Sequence, residues 1–342
     1  MVESIQRVKV KQDDGIFILL CTWLIGGIFV DGWAHNHLAR LETFFTPWHA
    51  LLYSGFLAVA GYLFVTIVRN HQQGAPWREA VPPGYELSLC GMFVFLLGGL
   101  ADMTWHILFG IEQNVEALLS PTHLLLAFGA TWIVAGPLRV AVSRTVLYEP
   151  GSFKIPYPAI LSIAYILSLL IFFTQFANPI VHSWADVRTA EPLISLGLAS
   201  ILLQTVIEMS VVLFLVRQWK VPFGAFALIF MIEGGLSTIL ANNTLLVVIV
   251  SVLYAALIGL IVDGLYKWLQ PSIKHGLEWN LFAFLVPVLE RGAYFFATML
   301  LHGVVWSIHL WLGSIIMSGI IGVLLGYLLA PQTKSEQTDL FK

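Results

Sequence analysis

Charged side chains are scarce in this sequence. Asp, Glu, Lys and Arg make up 11% of the 342 residues, whereas an average soluble domain has about 25%. Hydrophobic residues make up 58%, and the few charges lie in short islands between apolar runs of about 20 residues. This pattern excludes a soluble globular protein, a coiled coil, a disordered chain and a nucleic-acid-binding protein. It is typical of a protein that crosses a membrane several times.

Cysteine is also rare, since the chain contains only Cys21 and Cys90. Both lie inside apolar runs, so the sequence offers neither a disulfide framework nor a cysteine-rich metal site. Nucleotide-binding motifs are missing as well, because neither Gly-x4-Gly-Lys-[Ser/Thr] nor Gly-x-Gly-x2-Gly occurs. We therefore expect no nucleotide among the partners of this protein.

Apolar runs long enough to cross about 30 Å of hydrocarbon recur along the chain. They predict an all-α, polytopic helical bundle of about ten transmembrane helices, with four in residues 1–145 and six in residues 146–342. The runs lie near residues 16–31, 47–68, 86–103, 121–142, 157–177, 192–216, 222–241, 244–266, 281–301 and 304–329.

The basic residues indicate how the chain is oriented. Ten spans place both termini on one side, and all 17 Lys and Arg except Arg40, Arg188 and Arg291 fall on that side. The positive-inside rule then predicts cytoplasmic termini in the cytoplasmic (inner) membrane. Histidine has the opposite bias, because all except His71 and His275 fall at or near the other face. We therefore expect the functional site on the extracytoplasmic side.

Two segments predicted at that outer face resemble each other. Each contains Asp-x3-His followed by Glu-x3-[Thr/Ser]-Pro-x-His, between an outgoing and a returning span. We interpret them as an internal duplication of a helix hairpin, over about residues 26–68 and 98–142. The shared residues are Asp31, His35, Glu42, Thr46, Pro47 and His49 in the first copy and Asp102, His106, Glu116, Ser120, Pro121 and His123 in the second.

The spacing within each copy predicts how these side chains are presented. Asp and His four residues apart lie one turn apart on the same helix face. Thr46 and Ser120 are typical N-cap residues, and the proline after each suits the first helical position. His49 and His123 are then expected in the first turn of a returning helix, where the helix dipole disfavours an imidazolium ion. A neutral ring is able to bind a metal.

Each hairpin thus offers carboxylate oxygens and imidazole nitrogens, a set that suits Zn, Fe, Mn or Cu(II). We expect Glu42, Glu112 and Glu116 to serve as further ligands or as acid–base groups. A hydrogen-bonded network that only holds helix ends together is an alternative, as are a haem site and a proton-active site. The predicted metal ligands are Asp31, His35, His49, Asp102, His106 and His123.

At Asp31-x3-His35-x13-His49 the sequence resembles the copper site of the third subunit of particulate methane and ammonia monooxygenases. That family presents an Asp, a His four residues later and another His farther along, near the membrane surface. The resemblance implies copper at these three residues and, through the duplication, at their equivalents in the second hairpin. It is confined to this motif: the spacing of the last His differs in both copies, and ten spans are not that family's architecture.

Three functions remain open from the sequence. The first is a membrane metalloenzyme that acts on a small or lipophilic substrate by hydrolysis or oxidation. The second is a metal or proton-coupled transporter, in which Glu208, Glu233 and Glu290 continue a path inward, since ionisable residues inside spans are often functional. The alternative is a buried ion pair between Arg291 and either Glu208 or Glu233. The third is a structural or assembly protein, and the sequence indicates no particular oligomeric state.

Overall fold

The structure is a computed structural model of the chain. It describes residues 12–38, 44–110, 112, 114–145, 151–182, 184–185, 191–241, 244–273, 276–301 and 303–330. Glu42, one of the predicted site residues, lies outside these described residues.

The described residues form helices and no β-strand, which confirms the predicted all-α fold class. In chain order the helices are α1 (Asp14–His37), α2 (Pro47–Gln72), α3 (Glu86–Phe109), α4 (Asn114–Leu119), α5 (Pro121–Val134), α6 (Gly136–Thr145), α7 (Tyr157–Phe173), α8 (Glu191–Gln218), α9 (Ala225–Ala241), α10 (Leu245–Leu269), α11 (Gly276–Leu301) and α12 (Ile308–Leu329).

Within the described residues, seven helices are long and apolar enough to cross a membrane: α1, α2, α3, α8, α10, α11 and α12. Helices α5 and α6 pass the same test only as a pair, which is bent by 50°. Helices α7 and α9 are apolar but have 17 residues each, fewer than the roughly 20 that a straight span needs. The chain is thus a multi-pass helical membrane protein, and the count of ten spans stays a prediction.

The bend between α5 and α6 follows from Pro137. Proline has no backbone N–H, so the carbonyl group of Ile133, four residues earlier, loses its helical partner. The hydroxyl group of Ser88 on α3 donates to that carbonyl oxygen at 2.9 Å, and Ser162 on α7 donates to the next one, of Val134, at 2.7 Å. Neighbouring helices therefore satisfy the backbone groups that the break exposes, as an apolar environment requires.

The described residues divide into two compact units. The first comprises those within Met1–Tyr148, Ile155–Phe176 and Leu228–Ala255. In it, α1 packs along α2 and α3 packs along α5, and each of these pairs is one of the predicted hairpins. The second unit comprises those within Glu149–Lys154, Ala177–Ala227 and Ala256–Lys342, where α12 packs along α11 and α8.

Glycines bring the two helices of each hairpin into backbone contact. A Cβ atom on Gly55 of α2 would lie 2.8 Å from the Cα of Leu24 on α1. A Cβ atom on Gly129 of α5 would likewise lie 2.8 Å from the Cα of Phe95 on α3. Small residues allow this close approach between membrane helices. Any larger residue at either position would force the two backbones apart.

These contacts occupy equivalent positions in the two hairpins. Gly55 stands six residues after His49, as Gly129 does after His123. The residue that Gly55 contacts, Leu24, stands seven residues before Asp31, and the residue that Gly129 contacts, Phe95, stands seven before Asp102. The two helix pairs are therefore packed in the same register. The predicted duplication requires such a match.

Buried charges in the second unit are paired. Arg291 of α11 donates to Glu208 of α8, and the carboxylate group of Glu290 lies 3.9 Å from the same guanidinium group. Asp263 of α10 accepts hydrogen bonds from two backbone N–H groups in the first turn of α9, groups that have no partner within their own helix. The predicted buried ion pair of Arg291 with Glu208 is thus present.

Candidate metal centre

The first triad consists of Asp31, His35 and His49. Asp31 and His35 lie one turn apart near the end of α1, and His49 reaches them from the first turn of α2. The two oxygens of Asp31 face different rings: Oδ1 lies 3.6 Å from Nε2 of His49, and Oδ2 lies 3.8 Å from Nε2 of His35. One ligand atom from each residue lies within 4.8 Å of the others. The three side chains converge on one point.

The second triad consists of Asp102, His106 and His123. Asp102 and His106 lie one turn apart near the end of α3, and His123 lies in the first turn of α5. Oδ2 of Asp102 is 3.4 Å from Nε2 of His106, and Oδ1 is 3.2 Å from Nε2 of His123. The structure therefore brings the six predicted ligands together as two separate groups, each of which could hold a metal ion.

The returning helices begin where the sequence predicts. The side chain of Thr46 accepts a hydrogen bond from the backbone N–H of His49 at 3.1 Å, and that of Ser120 accepts one from His123 at 3.3 Å. Proline follows each cap at the first helical position. These caps satisfy a backbone donor at the helix start. They also fix the turn that carries each histidine.

The two triads lie beside each other on one cavity. The ring centroids of His49 and His106 are 6.4 Å apart, so the first triad meets the second directly. The cavity has a volume of about 80 Å³, room for several water molecules because each needs about 10–15 Å³. Apart from the ligands its wall is mainly apolar, and includes Ile28, Leu52, Phe95, Leu126, Leu169 and Phe172.

A hydrogen-bond acceptor lies behind three of the four rings. Nδ1 of His49 is 2.6 Å from the carbonyl oxygen of Phe44, and Nδ1 of His123 is 2.8 Å from the hydroxyl group of Ser120. Nδ1 of His106 is 3.3 Å from the carbonyl oxygen of Gly110. In metal sites, histidine ligands usually donate Nδ1–H to such groups, which directs the Nε2 lone pair at the metal.

The contacts of His49 restrict where its ring carries a proton. A carbonyl oxygen only accepts hydrogen bonds, so Nδ1, at 2.6 Å from that of Phe44, carries the proton. Nε2 lies 3.6 Å from Oδ1 of Asp31, beyond the usual hydrogen-bond range of about 2.7–3.2 Å. Among the described residues, that oxygen has no hydrogen-bond partner, and a cation bound between the two atoms would satisfy it.

The distances within the triads also fit a metal ion. Zinc binds imidazole nitrogen and carboxylate oxygen at about 2.0–2.2 Å, so two ligands of a tetrahedral ion lie about 3.3 Å apart. The four Asp-to-His distances range from 3.2 to 3.8 Å, and three of them exceed the usual hydrogen-bond range of about 2.7–3.2 Å. Among the described residues, buried atoms Oδ1 of Asp31 and Nε2 of His106 have no hydrogen-bond partner. A cation would satisfy both.

The predicted acid–base residues are placed less favourably than the ligands. Glu112 lies behind His106, 3.1 Å from Nδ1 and therefore on the side of the ring away from the contact with Asp102, and among the described residues its carboxylate oxygens have no hydrogen-bond partner. Glu116 lies on α4 with an exposed side chain and does not line the cavity. The third of these residues, Glu42, is outside the described residues.

Two residues of the site are absent from the sequence predictions. Thr122 donates a hydrogen bond from its hydroxyl group to Oδ1 of Asp102 at 2.8 Å. Phe44 stacks on the ring of His49, with centroids 4.7 Å apart, in addition to its carbonyl contact. Thr122 stands within the Ser-Pro-x-His motif, so its position beside a ligand was a usable signal. Phe44 acts through its backbone, which leaves no signal in the sequence.

The chain was compared with models of protein families, with curated proteins and with solved structures, and none of the three comparisons found a match.

Proposed function

We propose that this chain is an integral membrane metalloenzyme that binds one transition-metal ion in each triad, on the extracytoplasmic side of the cytoplasmic membrane. The observation that carries the proposal is the convergence of Asp31, His35 and His49, in which Oδ1 of the buried carboxylate group lies 3.6 Å from Nε2 of His49 and has no hydrogen-bond partner among the described residues. The second triad repeats the arrangement, with Nε2 of both rings directed at Asp102. A cation in each triad would bind these converging atoms.

The number of ligands favours catalysis over a structural role. Structural zinc sites usually have four protein ligands, whereas catalytic sites have three and keep one position open. Two histidines and one carboxylate also form the typical site of non-haem iron oxygenases. Each triad has this composition and borders the cavity. Zn, Fe, Mn and Cu(II) all suit these ligands, and copper is the ion that the resemblance to the particulate monooxygenases implies.

The cavity favours a small or lipophilic substrate that enters from the bilayer. Its apolar wall excludes bulk water and binds hydrocarbon groups, while the triads occupy one side of it. A bound metal ion would supply the chemistry, by activating water for hydrolysis or dioxygen for oxidation. The chain's own part is to hold the rings and carboxylates in position, with Phe44, Ser120 and Gly110 orienting the rings.

The contacts of the acidic residues in the second unit do not favour a transporter. It requires acidic side chains that pass a cation along the membrane interior. Glu208 is instead engaged by Arg291, and the same guanidinium group lies 3.9 Å from Glu290. A positive charge at this place repels a metal cation. We therefore prefer an enzyme to a transporter.

Elemental analysis by plasma mass spectrometry on detergent-purified protein tests the proposal. We expect two equivalents of metal per chain, and about one in each of the variants His49→Ala and His123→Ala. His37→Ala is the control, because it removes a histidine at the end of α1, two residues after His35, that belongs to neither triad. The double variant His49→Ala/His123→Ala should lose both ions.

Two results would contradict the proposal. Absence of metal from the wild-type protein, even after incubation with Zn²⁺, Fe²⁺, Mn²⁺ and Cu²⁺ in turn, would exclude a metalloenzyme. Metal that persists in the double variant would place the bound ion elsewhere. If the double variant only lowers the melting temperature of a metal-free protein, the polar cluster is a structural network. A redox-active metal would direct the search for a reaction to oxidation, and zinc to hydrolysis.

A further inference from the structure

We infer that the two triads hold their ions unequally, the second as a tight site and the first as an exchangeable site whose ion faces the cavity. This inference rests on the proposed function, since it presupposes that both triads bind metal. It adds a positioning residue, Thr122, that is not one of the predicted ligands. The observations that carry it are the differences between two otherwise equivalent hairpins.

The second triad has a more complete set of supporting contacts. Thr122 donates to Oδ1 of Asp102 at 2.8 Å, which fixes that carboxylate while leaving its other lone pairs for a metal. The carbonyl oxygen of Gly110 lies 3.3 Å from Nδ1 of His106 and orients this ring from behind. Ser120 contacts Nδ1 of His123 at 2.8 Å. Every ligand of this triad is thus oriented from behind.

Within the described part of the chain, the first triad has this support only at His49, through the carbonyl oxygen of Phe44. Trp48 stands at the position of Thr122 in the first hairpin, and it has no hydroxyl group to offer Asp31. Among the described residues, no hydrogen bond reaches Oδ1 of Asp31. The side chain of Asp31 is 14% exposed and that of Asp102 is 1% exposed. Asp31 is therefore a less rigid ligand than Asp102 and lies nearer to solvent.

The distances between ligand atoms and the access of each triad to the cavity also favour a tighter second site. The Asp-to-His distances are 3.4 and 3.2 Å in the second triad but 3.8 and 3.6 Å in the first, and a tetrahedral ion needs about 3.3 Å. The ligands of the second triad therefore have to move less than those of the first when they bind an ion. All three residues of the first triad line the cavity, whereas His106 of the second does not. Exchange with the cavity is thus easier at the first triad.

Equilibrium dialysis of the metal-free protein against Zn²⁺ tests the inference. We expect two classes of site, of which His123→Ala removes the tighter and His49→Ala the weaker. Thr122→Val should weaken only the tight class, by about 10- to 100-fold as for other groups that orient metal ligands. Thr122→Ser keeps the hydroxyl group and should restore the affinity. A chelator added to the loaded protein should remove the weaker ion first.

Thr104→Val is the matched control. Thr104 lies between Asp102 and His106 on α3, but its side chain is exposed and donates to the backbone of its own helix. The Thr104→Val variant should leave the Zn²⁺ affinity of both classes of site unchanged. Two classes of equal affinity, or a Thr122→Val protein that melts as the wild type does and binds Zn²⁺ equally well, would overturn the inference and leave the proposed function intact. A wild-type protein that binds no Zn²⁺ or other transition metal would overturn both.

Discussion

Replacing Gly129 by alanine tests whether the spacing of two helices sets the geometry of the second triad. A Cβ atom on Gly129 of α5 would lie 2.7 Å from the backbone nitrogen of Phe95 on α3. Backbone atoms cannot rotate away as a side chain does. The two helices must instead separate by about 0.7 Å to reach an ordinary contact of 3.4 Å.

That separation acts on the metal ligands, because Asp102 lies on α3 and His123 lies on α5. Their 3.2 Å distance would grow to about 3.9 Å, whereas metal–ligand bonds tolerate deviations of only about 0.2 Å. We expect affinity for Zn²⁺ at the second triad to fall by about tenfold or more. Overpacking costs about 1–3 kcal/mol of stability, and the higher helix propensity of alanine offsets up to about 1 kcal/mol of it.

Zn²⁺ dialysis of three glycine variants checks this reasoning. Gly129→Ala should impair only the second triad, and Gly55→Ala, at the equivalent position of the first hairpin, only the first triad. Gly61→Ala is the control, since a Cβ atom there meets nothing within 4 Å. If Gly129→Ala keeps wild-type affinity at both sites, the helix spacing does not determine the metal geometry and the argument fails.

Three further predictions concern the helix caps, the second unit and the dependence on pH. Thr46→Ala should lower stability by about 1 kcal/mol through loss of the N-cap, seen as a lower melting temperature, with Thr104→Ala as an exposed control. Glu208→Gln removes the carboxylate group to which the buried Arg291 donates and leaves Glu290, 3.9 Å away, beside the guanidinium group, so it should cost up to about 3–5 kcal/mol, while metal content per folded protein stays unchanged. Metal occupancy should fall as the pH is lowered, because protons compete for the imidazole and carboxylate ligands; occupancy that does not change between neutral and acidic buffers would argue against these ligands.

Local spacing is the reason that the sequence predicts so much of the candidate site. Asp and His four residues apart must share a helix face, and a capping residue followed by proline fixes where a helix begins. Both rules operate within one or two turns, so they identify Asp31, His49 and their equivalents without knowledge of the packing. The all-α fold class follows from hydropathy in the same way.

The remaining features depend on how helices meet, which spacing does not encode. The contact of His49 with His106 joins residues on different hairpins, and Thr122 acts on a carboxylate of another helix. The lengths of α7 and α9 are a different case. Apolar runs predict spans over 157–177 and 222–241, but hydropathy does not detect where helical geometry ends, and the structure stops the first at Phe173.

Because each triad draws all three of its ligands from a single hairpin, a metal ion would cross-link α1 only to α2, or α3 only to α5. Each hairpin is thus complete as soon as its own two helices have entered the membrane, and loading does not have to wait for the rest of the chain. The ions would stiffen each hairpin from within. They would leave the boundary between the hairpins, where His49 meets His106, free to adjust to whatever occupies the cavity.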